Sequence, residues 1–319
     1  MEKITNYTIA LTKEQADELL KYLKENNFEF VERPYTLFFA TKPGLSIGLY
    51  NNLKLVIQGK ETAEFVEFVL EPLILKEAKL GYEEVLNPEY YSPRLGVDES
   101  GKGDYFGPLC VAGVYVNEEV IKQWRSAGIR DSKQIGSDTS IRKLADVIRK
   151  TPGCLINTVT IGNEAYNRLY EKLQNVNKIL AWGHSRVIEN LLSGIKGPNP
   201  PPAFVICDQF ANSEGVISGA LMARGKKIKV VQRHRAEADI AVAAASIIAR
   251  SQFIDWLDKM GREYKMDFPR GCSDITQQVA CEFVKKYGEE MLKKVAKLHF
   301  KTTRKVLDAS KSVDPNLGE

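Results

Sequence analysis

Two adjacent carboxylates, Asp98 and Glu99, lie where an apolar stretch runs into a glycine-rich turn. Residues 95–97 are apolar, three glycines fall within 101–107, and a second apolar run covers 109–116. This pattern predicts a strand, a tight turn and a second strand. Neighbouring side chains of a regular strand point to opposite faces, so the pair can share a cation only if the strand ends at Asp98 and the glycines bend the chain there. Such a site suits Mg²⁺ or Mn²⁺, whereas the alternative interpretation is an acidic turn without a metal.

Two further aspartates stand at the ends of predicted elements. Asp208 follows the apolar strand predicted at 203–207, and Asp239 lies in the first turn of an alanine-rich helix that begins near residue 236. Each also has a purely structural interpretation, as a turn cap for Asp208 and as a helix N-cap for Asp239. If one sheet brings all four carboxylates together, their charge requires two cations, which is the arrangement for in-line phosphodiester cleavage.

The elements after residue 95 predict a mixed α/β sheet. Three meandering strands are followed by a β-α-β unit and a final helix, a pattern typical of a mixed sheet flanked by helices. The predicted strands are 95–99, 108–116, 155–161, 203–207 and 228–232. The predicted helices between them are about 163–173, 177–193 and 213–224.

The first 75 residues predict a separate α+β unit. A capping box, Thr12 with Gln15, opens a helix that extends to about Asn27. Around it we expect strands at 3–10, 35–41, 45–50 and 53–58, and a second helix at about 60–71. Alternation assigns one apolar sheet face, made of Leu37, Phe39, Ile47, Leu49, Leu55 and Ile57. The polar opposite face carries Tyr50 and Lys54, which we expect to contact substrate. We therefore divide the chain into an N-terminal domain at 1–75, a linker at 76–94 and a catalytic domain at 95–310.

Charge and cysteine content narrow the class of protein. The net charge is +4, yet residues 1–75 hold 8 Lys/Arg against 11 Asp/Glu, so the basic excess lies in the rest of the chain. A basic strip at 283–305 is suited to binding a polyanion, and its interpretation as a solvated helix face has equal weight. Five scattered cysteines without a C-x-x-C pair fit reduced thiols in the cytoplasm. The start of the chain does not predict a signal peptide, and the apolar run at 240–249 is too short to span a membrane.

Four segments together resemble the type 2 ribonuclease H family. They are DESGKGDYFGP at 98–108, DSK at 131–133, the strand ending in Asp208 and AEADIAVAAASIIAR at 236–250. The continuation at 104–108 and the triplet at 208–210 resemble ribonuclease HIII, as does the extra N-terminal unit. The resemblance implies a ribonuclease H-like mixed sheet flanked by helices, with an N-terminal α+β domain similar to the TATA-binding protein. Lys102 departs from the Gly-Thr-Gly loop of many ribonuclease HIII members and matches ribonuclease HII instead.

The resemblance also implies an activity and a set of site residues. It implies hydrolysis of the RNA strand of RNA/DNA hybrids by a monomer with two Mg²⁺ or Mn²⁺ ions, leaving 3′-hydroxyl and 5′-phosphate ends. The implied metal ligands are Asp98, Glu99, Asp208 and Asp239, with Asp98 bridging the ions. The implied substrate contacts are the backbone of Gly101, Lys102 and Gly103 to ribose 2′-hydroxyls, and Lys133 with Ser132 to a phosphate. Incision at single ribonucleotides in DNA, as in ribonuclease HII, and a nucleic-acid-binding protein without catalysis are the alternatives. The three histidines are isolated in the sequence, and we expect each to be a structural or a surface residue and not a catalytic one: His184, His234 and His299.

Overall fold

The computed structural model describes residues 4–76, 89–124, 127, 129, 132, 135–208, 215–233 and 236–311. The chain divides into two compact units, 1–91 and 92–319, and each is described by itself. Residues 77–88 of the predicted linker, together with Asp131, Lys133 and His234, lie outside the described residues.

The first unit is a five-stranded antiparallel sheet with its helices on one face. The sheet order is β1-β5-β4-β3-β2, and the core is formed by the inner sheet face and the helices, including Leu19, Leu23, Val66 and Leu70. The strands are β1 (Asn6–Ala10), β2 (Glu29–Phe30), β3 (Thr36–Lys42), β4 (Leu45–Tyr50) and β5 (Lys54–Gln58). The helices are α1 (Lys13–Glu25) and α2 (Thr62–Phe65), which continues as a π-helix over Val66–Leu75. The predicted capping box at Thr12 is present.

The predicted apolar sheet face is wrong along β3. The register shifts between Thr36 and Phe38, so Phe38 and Ala40 join the core while Leu37 is 56% exposed. Phe39 packs on the opposite face, where a Cβ on Gly48 would lie 3.0 Å from its ring. A bulge moves every later side chain of a strand to the other face, and alternation in the sequence does not reveal it. The short strand β2 was also not predicted.

The second unit is built on a mixed five-stranded sheet, as predicted. Its order is β10-β9-β6-β7-β8, with β10, β9 and β6 parallel and β7 and β8 antiparallel. The strands are β6 (Arg94–Ser100), β7 (Leu109–Val116), β8 (Leu155–Ile161), β9 (Phe204–Asp208) and β10 (Lys229–Arg233). The main helices are α3 (Glu118–Trp124), α4 (Asp138–Lys150), α5 (Asn163–Leu173), α6 (Val176–Gly194) and α7 (Gly215–Ala220). The later ones are α8 (Ile240–Tyr264), α9 (Asp274–Tyr287), α10 (Leu292–Val295) and α11 (Lys301–Lys311).

Helices cover both faces of this sheet. On one face α5 and α6 pack against Val97, Val111 and Val205, among other apolar side chains of the strands. On the other face α8 crosses β6 and β7, and its residues Ala241–Ala249 are almost fully buried. By length and composition α8 could cross a membrane, but 72% of its apolar window is buried in the unit, as is usual for a core helix. This helix positions Asp239, the residue that precedes it.

Candidate active site

Asp98 and Asp208 leave the sheet side by side. The register of parallel strands β6 and β9 pairs Val97 with Cys207, the residues immediately before the two aspartates. Because neighbouring strands are about 4.8 Å apart, the two carboxylates start from adjacent positions near the carboxyl ends of parallel strands, where α/β sheets assemble sites. Asp208 is the last residue of β9, as the sequence predicted.

Strand β6 does not end at Asp98, so the condition under which a bend at that residue would bring the two carboxylates to one cation is not met. The strand continues to Ser100, with Asp98 paired to Ala112 and Glu99 paired to Val111 of β7. The two neighbouring side chains therefore point to opposite faces of the sheet. Asp98 lies on the face covered by α8, and Glu99 lies on the face covered by α6.

Glu99 contacts a buried histidine and a lysine of the turn. Its Oε2 lies 3.0 Å from Nε2 of His184, and its Oε1 lies 3.8 Å from Nζ of Lys102. The His184 side chain is 1% exposed and the Glu99 side chain 12% exposed. The carboxylate is thus held between the inner helix α6 and the glycine-rich turn.

Asp239 caps helix α8 and pairs with a buried arginine. Its Oδ1 accepts hydrogen bonds from the backbone N–H groups of Ala241 at 2.8 Å and Val242 at 3.4 Å. Its Oδ2 accepts from Nε of Arg94 at 2.8 Å, and the Arg94 side chain is almost fully buried. The N-cap interpretation of Asp239 is therefore correct. A role as metal ligand stays a prediction.

Gly96 brings the start of α8 against β6. A Cβ at Gly96 would stand 2.1 Å from the carbonyl carbon of Ala241, so only glycine permits this approach. Arg94, Gly96 and Asp98 are spaced by two and share a strand face. The N-terminus of α8, with Asp239, consequently lies over the strand that carries Asp98.

The charges at this edge act on a neighbouring thiol. Burial, together with the nearby carboxylates Glu99, Asp208 and Asp98, raises the pKa of Cys207 to about 12. Hard carboxylate oxygens suit Mg²⁺ or Mn²⁺. The described part of the chain contains no group of three His, Cys, Asp or Glu side chains placed as metal ligands. The donor chemistry nevertheless fits a divalent cation at the Asp98–Asp208 pair. Asp239 precedes the helix that packs on the Asp98 face of β6, whereas Glu99 lies on the opposite face.

The turn after β6 is fixed to the C-terminal part of the unit. Gly101 has φ +92°, and a Cβ there would lie 2.2 Å from the carbonyl oxygen of Pro108, whereas Gly103 has no atom within 4 Å of its Cβ position. Lys297 is fully buried and donates through Nζ to the carbonyls of Asp104 at 2.8 Å and Gly107 at 2.6 Å. Lys297 is therefore not part of an exposed basic strip. The turn has a rigid base and an open side at Gly103.

The other predicted contact residues belong to both units, and each is described within its own unit. Ser132 is buried, and its backbone N–H donates to Oγ of Ser246 on α8 at 3.0 Å. Its proposed partner Lys133 lies outside the described residues. In the first unit Tyr50 is 38% exposed and Lys54 is exposed at the start of β5. All of these contacts stay predictions.

Two contacts of the site were missed from the sequence. Arg94 fell at the end of the predicted linker, although its spacing from Gly96 and Asp98 already placed it on their face. His184 was interpreted as isolated, yet it contacts Glu99. The sequence placed it in the predicted helix at 177–193, but nothing in the sequence indicated the partner.

Comparisons with known proteins agree with this architecture. The sequence profile of the ribonuclease HII family matches residues 95–303. The ribonuclease HIII of Protochlamydia amoebophila (strain UWE25) is 42% identical over 96% of this chain and 98% of its own length. That of Chlamydia pneumoniae is 41% identical over 93% and 96%, respectively.

Solved structures give the same result. Bst-RNase HIII in complex with Mn²⁺ superposes with a TM-score of 0.66 at 27% identity, covering 97% of this chain and 100% of that one. Aquifex aeolicus RNase H3 gives a TM-score of 0.53 at 26% identity, covering 92% of this chain and 99% of that one. These neighbours also confirm the predicted combination of a ribonuclease H-like sheet with an N-terminal domain of the TATA-binding-protein type. The chain therefore belongs to the ribonuclease HIII family, and it is a ribonuclease H.

Proposed function

We propose that the carboxylate edge of β6 and β9 hydrolyses the RNA strand of RNA/DNA hybrids. Membership of the ribonuclease HIII family supports cleavage of such hybrids in general. The observation that carries the assignment to this edge is the adjacent position of Asp98 and Asp208, next to a glycine turn with an open side at Gly103. Carboxylates can hold the cations that phosphodiester hydrolysis requires, and an approachable backbone can contact a ribose 2′-hydroxyl.

The proposal includes two divalent cations, Mg²⁺ or Mn²⁺, held by Asp98, Glu99, Asp208 and Asp239. Two such ions, when bound, lower the pKa of the attacking water and stabilise the leaving 3′-oxygen, which gives 3′-hydroxyl and 5′-phosphate products. The related Bst-RNase HIII structure in complex with Mn²⁺ supports dependence on a divalent metal. In this chain Arg94 and the N-terminus of α8 hold Asp239, while His184 holds Glu99.

Substrate recognition is proposed to involve both units. Backbone groups of Gly101, Lys102 and Gly103 contact ribose 2′-hydroxyls, and Ser132 and Lys133 contact a phosphate. Tyr50 and Lys54 add a stacking surface and a cation on the first unit. We propose that the protein acts as a monomer in the reducing cytoplasm without membrane contact, and its five free cysteines support a reducing compartment.

A second candidate activity follows from Lys102. The Gly-Lys-Gly turn is of the kind found in ribonuclease HII, so incision at a single ribonucleotide embedded in DNA is the alternative. The Lys102 ammonium lies close to Glu99, and the turn is thus able to influence the carboxylate edge as well as the substrate.

Cleavage of three end-labelled substrates tests the proposal. They are a long RNA/DNA hybrid, double-stranded RNA, and duplex DNA with one ribonucleotide, each incubated with Mg²⁺, Mn²⁺ or a chelator. We expect the hybrid to be cut in the presence of metal only, with 3′ ends that a polymerase extends directly. Equal cleavage of double-stranded RNA, cleavage in chelator, or 3′-phosphate ends would contradict it. Binding of hybrid without cleavage would favour a non-catalytic nucleic-acid-binding protein.

A further inference from the structure

We propose that His184 is a positioning residue that fixes the orientation of the Glu99 carboxylate toward the metal site. The inference rests on the proposed function, because it takes Glu99 as a metal ligand. The observation is a hydrogen bond of 3.0 Å between Nε2 of His184 and Oε2 of Glu99, formed in an almost fully buried pocket. A carboxylate that binds a metal is ionised and only accepts hydrogen bonds, so in this proposal Nε2 of His184 is the donor.

Strand geometry explains why Glu99 needs such a partner. Glu99 points to the α6 face of the sheet, away from the face of Asp98. A glutamate side chain has three rotatable bonds, and only some rotamers direct an oxygen toward the strand end. His184 holds Oε2 on the inner side, and Oε1 then lies on the side of the turn, 3.8 Å from Nζ of Lys102. The bond thus selects the rotamers that place Oε1 on the side of the glycine-rich turn. Glu99 also lies near Cys207, as Asp98 and Asp208 do.

The position of His184 is itself fixed by close packing of α6 on β7. A Cβ at Gly183 would lie 2.8 Å from Cγ2 of Val111, and Val111 is the cross-strand partner of Glu99. A Cβ at Gly113 would likewise lie 2.3 Å from Cγ1 of Val187 on the next turn of the helix. Small residues on both elements therefore bring α6 against the strand that neighbours Glu99, which places His184 within hydrogen-bonding distance of it.

The expected size of the effect follows from partners of metal ligands in other proteins. Removing a side chain that orients a ligand typically weakens metal binding or activity by about 10–100-fold. His184→Leu keeps an apolar side chain of moderate size in the pocket and removes the donor. His184→Gln places an amide N–H₂ near the position of Nε2 and keeps a donor. A merely structural histidine would make both variants equally impaired.

Titration of Mn²⁺ into the metal-free protein, followed by calorimetry, is the first readout. We expect the dissociation constant for Mn²⁺ to be about tenfold larger in His184→Leu, and most of the affinity to be recovered in His184→Gln. The matched control is Ser185→Ala, which alters an equally buried neighbour whose hydroxyl donates to the Ala220 carbonyl at 2.7 Å, and it should bind Mn²⁺ as wild type does. Thermal unfolding of each variant without metal verifies folding.

Steady-state cleavage of a hybrid is the second readout. His184→Leu should lower kcat while leaving KM for the hybrid unchanged, because Glu99 contacts the metal and not the duplex. Gly183→Ala moves His184 without removing the imidazole, and it should also weaken Mn²⁺ binding. This variant tests the proposal if His184→Leu does not fold. Wild-type affinity in folded His184→Leu, or equal loss in Leu and Gln variants, would overturn the proposal. A wild-type protein that binds Mn²⁺ and cuts no hybrid would refute the proposed function instead, and the Mn²⁺ titration would still test His184.

Discussion

Gly96→Ala is expected to disable catalysis by displacing helix α8. The new Cβ would stand 2.1 Å from the carbonyl carbon of Ala241 and 2.3 Å from the backbone nitrogen of Val242. These are backbone atoms, so no side-chain rotation relieves the clash. Reaching an ordinary contact of 3.4 Å requires α8 to move by about 1.3 Å from β6. Asp239 precedes this turn of α8 and moves with it.

Gly96→Ala is expected to affect both the folding free energy and the catalytic rate. Overpacking of this kind costs about 1–3 kcal/mol of folding free energy, which leaves most domains folded. A misplacement of about 1 Å in a catalytic group is worth about a hundredfold in rate. We therefore expect a modest loss of stability with a large loss of turnover.

Urea unfolding and steady-state cleavage of a labelled hybrid measure the two effects separately. Gly194→Ala is the matched control, because its Cβ has no atom within 4 Å at the end of α6. It should keep wild-type turnover and gain up to about 1 kcal/mol of stability. A folded Gly96→Ala protein with more than about a tenth of wild-type turnover would refute the reasoning, since it would show that the contact of α8 with β6 does not position Asp239.

Three further predictions concern the base of the turn, the turn itself and the first unit. Burial lowers the pKa of Lys297 from 10.5 to about 7, against the opposing charge of Asp104. Between these two pKa values Lys297 is protonated in the unfolded chain and neutral in the folded protein, so the free energy of unfolding of the wild type should rise with pH. Lys297→Met should remove part of that rise, as measured by urea unfolding at about pH 6.5 and about pH 9.5. Identical pH dependence of the two proteins would contradict this. Lys102→Thr should change cleavage of long hybrids little and incision at a single ribonucleotide more, so equal effects on both substrates would be evidence against a role in substrate choice. Joint replacement of Tyr50 and Lys54 by Ala should raise KM for the hybrid without lowering kcat, and an unchanged KM would exclude this surface from hybrid binding.

The sequence predicted the elements of the second unit well because each has a distinct local pattern. Strand β8 is rich in β-branched residues and β9 is a short apolar run, and the limits of both agree with the prediction within one residue. The mixed order of the sheet followed from a meander and a β-α-β connection. Local patterns therefore sufficed to place Asp208 at a strand end and Asp239 at a helix start.

Features that depend on distant partners could not be predicted. Pairing with β7 extends β6 to Ser100, one residue beyond the predicted end of the strand, and this keeps Asp98 and Glu99 on opposite faces. Arg94 and Asp239 are separated by 145 positions, so their contact exists only in the folded unit. Leu37 is exposed because a bulge shifts its strand, which also depends on the neighbouring strand. Tertiary pairing, and not local propensity, decides these positions.

Asp98→Asn gives the most direct test of the central claim that the β6–β9 edge is the catalytic centre. The exchange keeps the size of the side chain and removes the negative charge next to Asp208. Hybrid cleavage and hybrid binding are measured on the same folded protein, with Mg²⁺ or Mn²⁺ at fixed salt. Cleavage should be abolished while binding persists or tightens, because affinity comes mainly from phosphate contacts. A folded Asp98→Asn protein that retained about a tenth or more of wild-type turnover would contradict the claim.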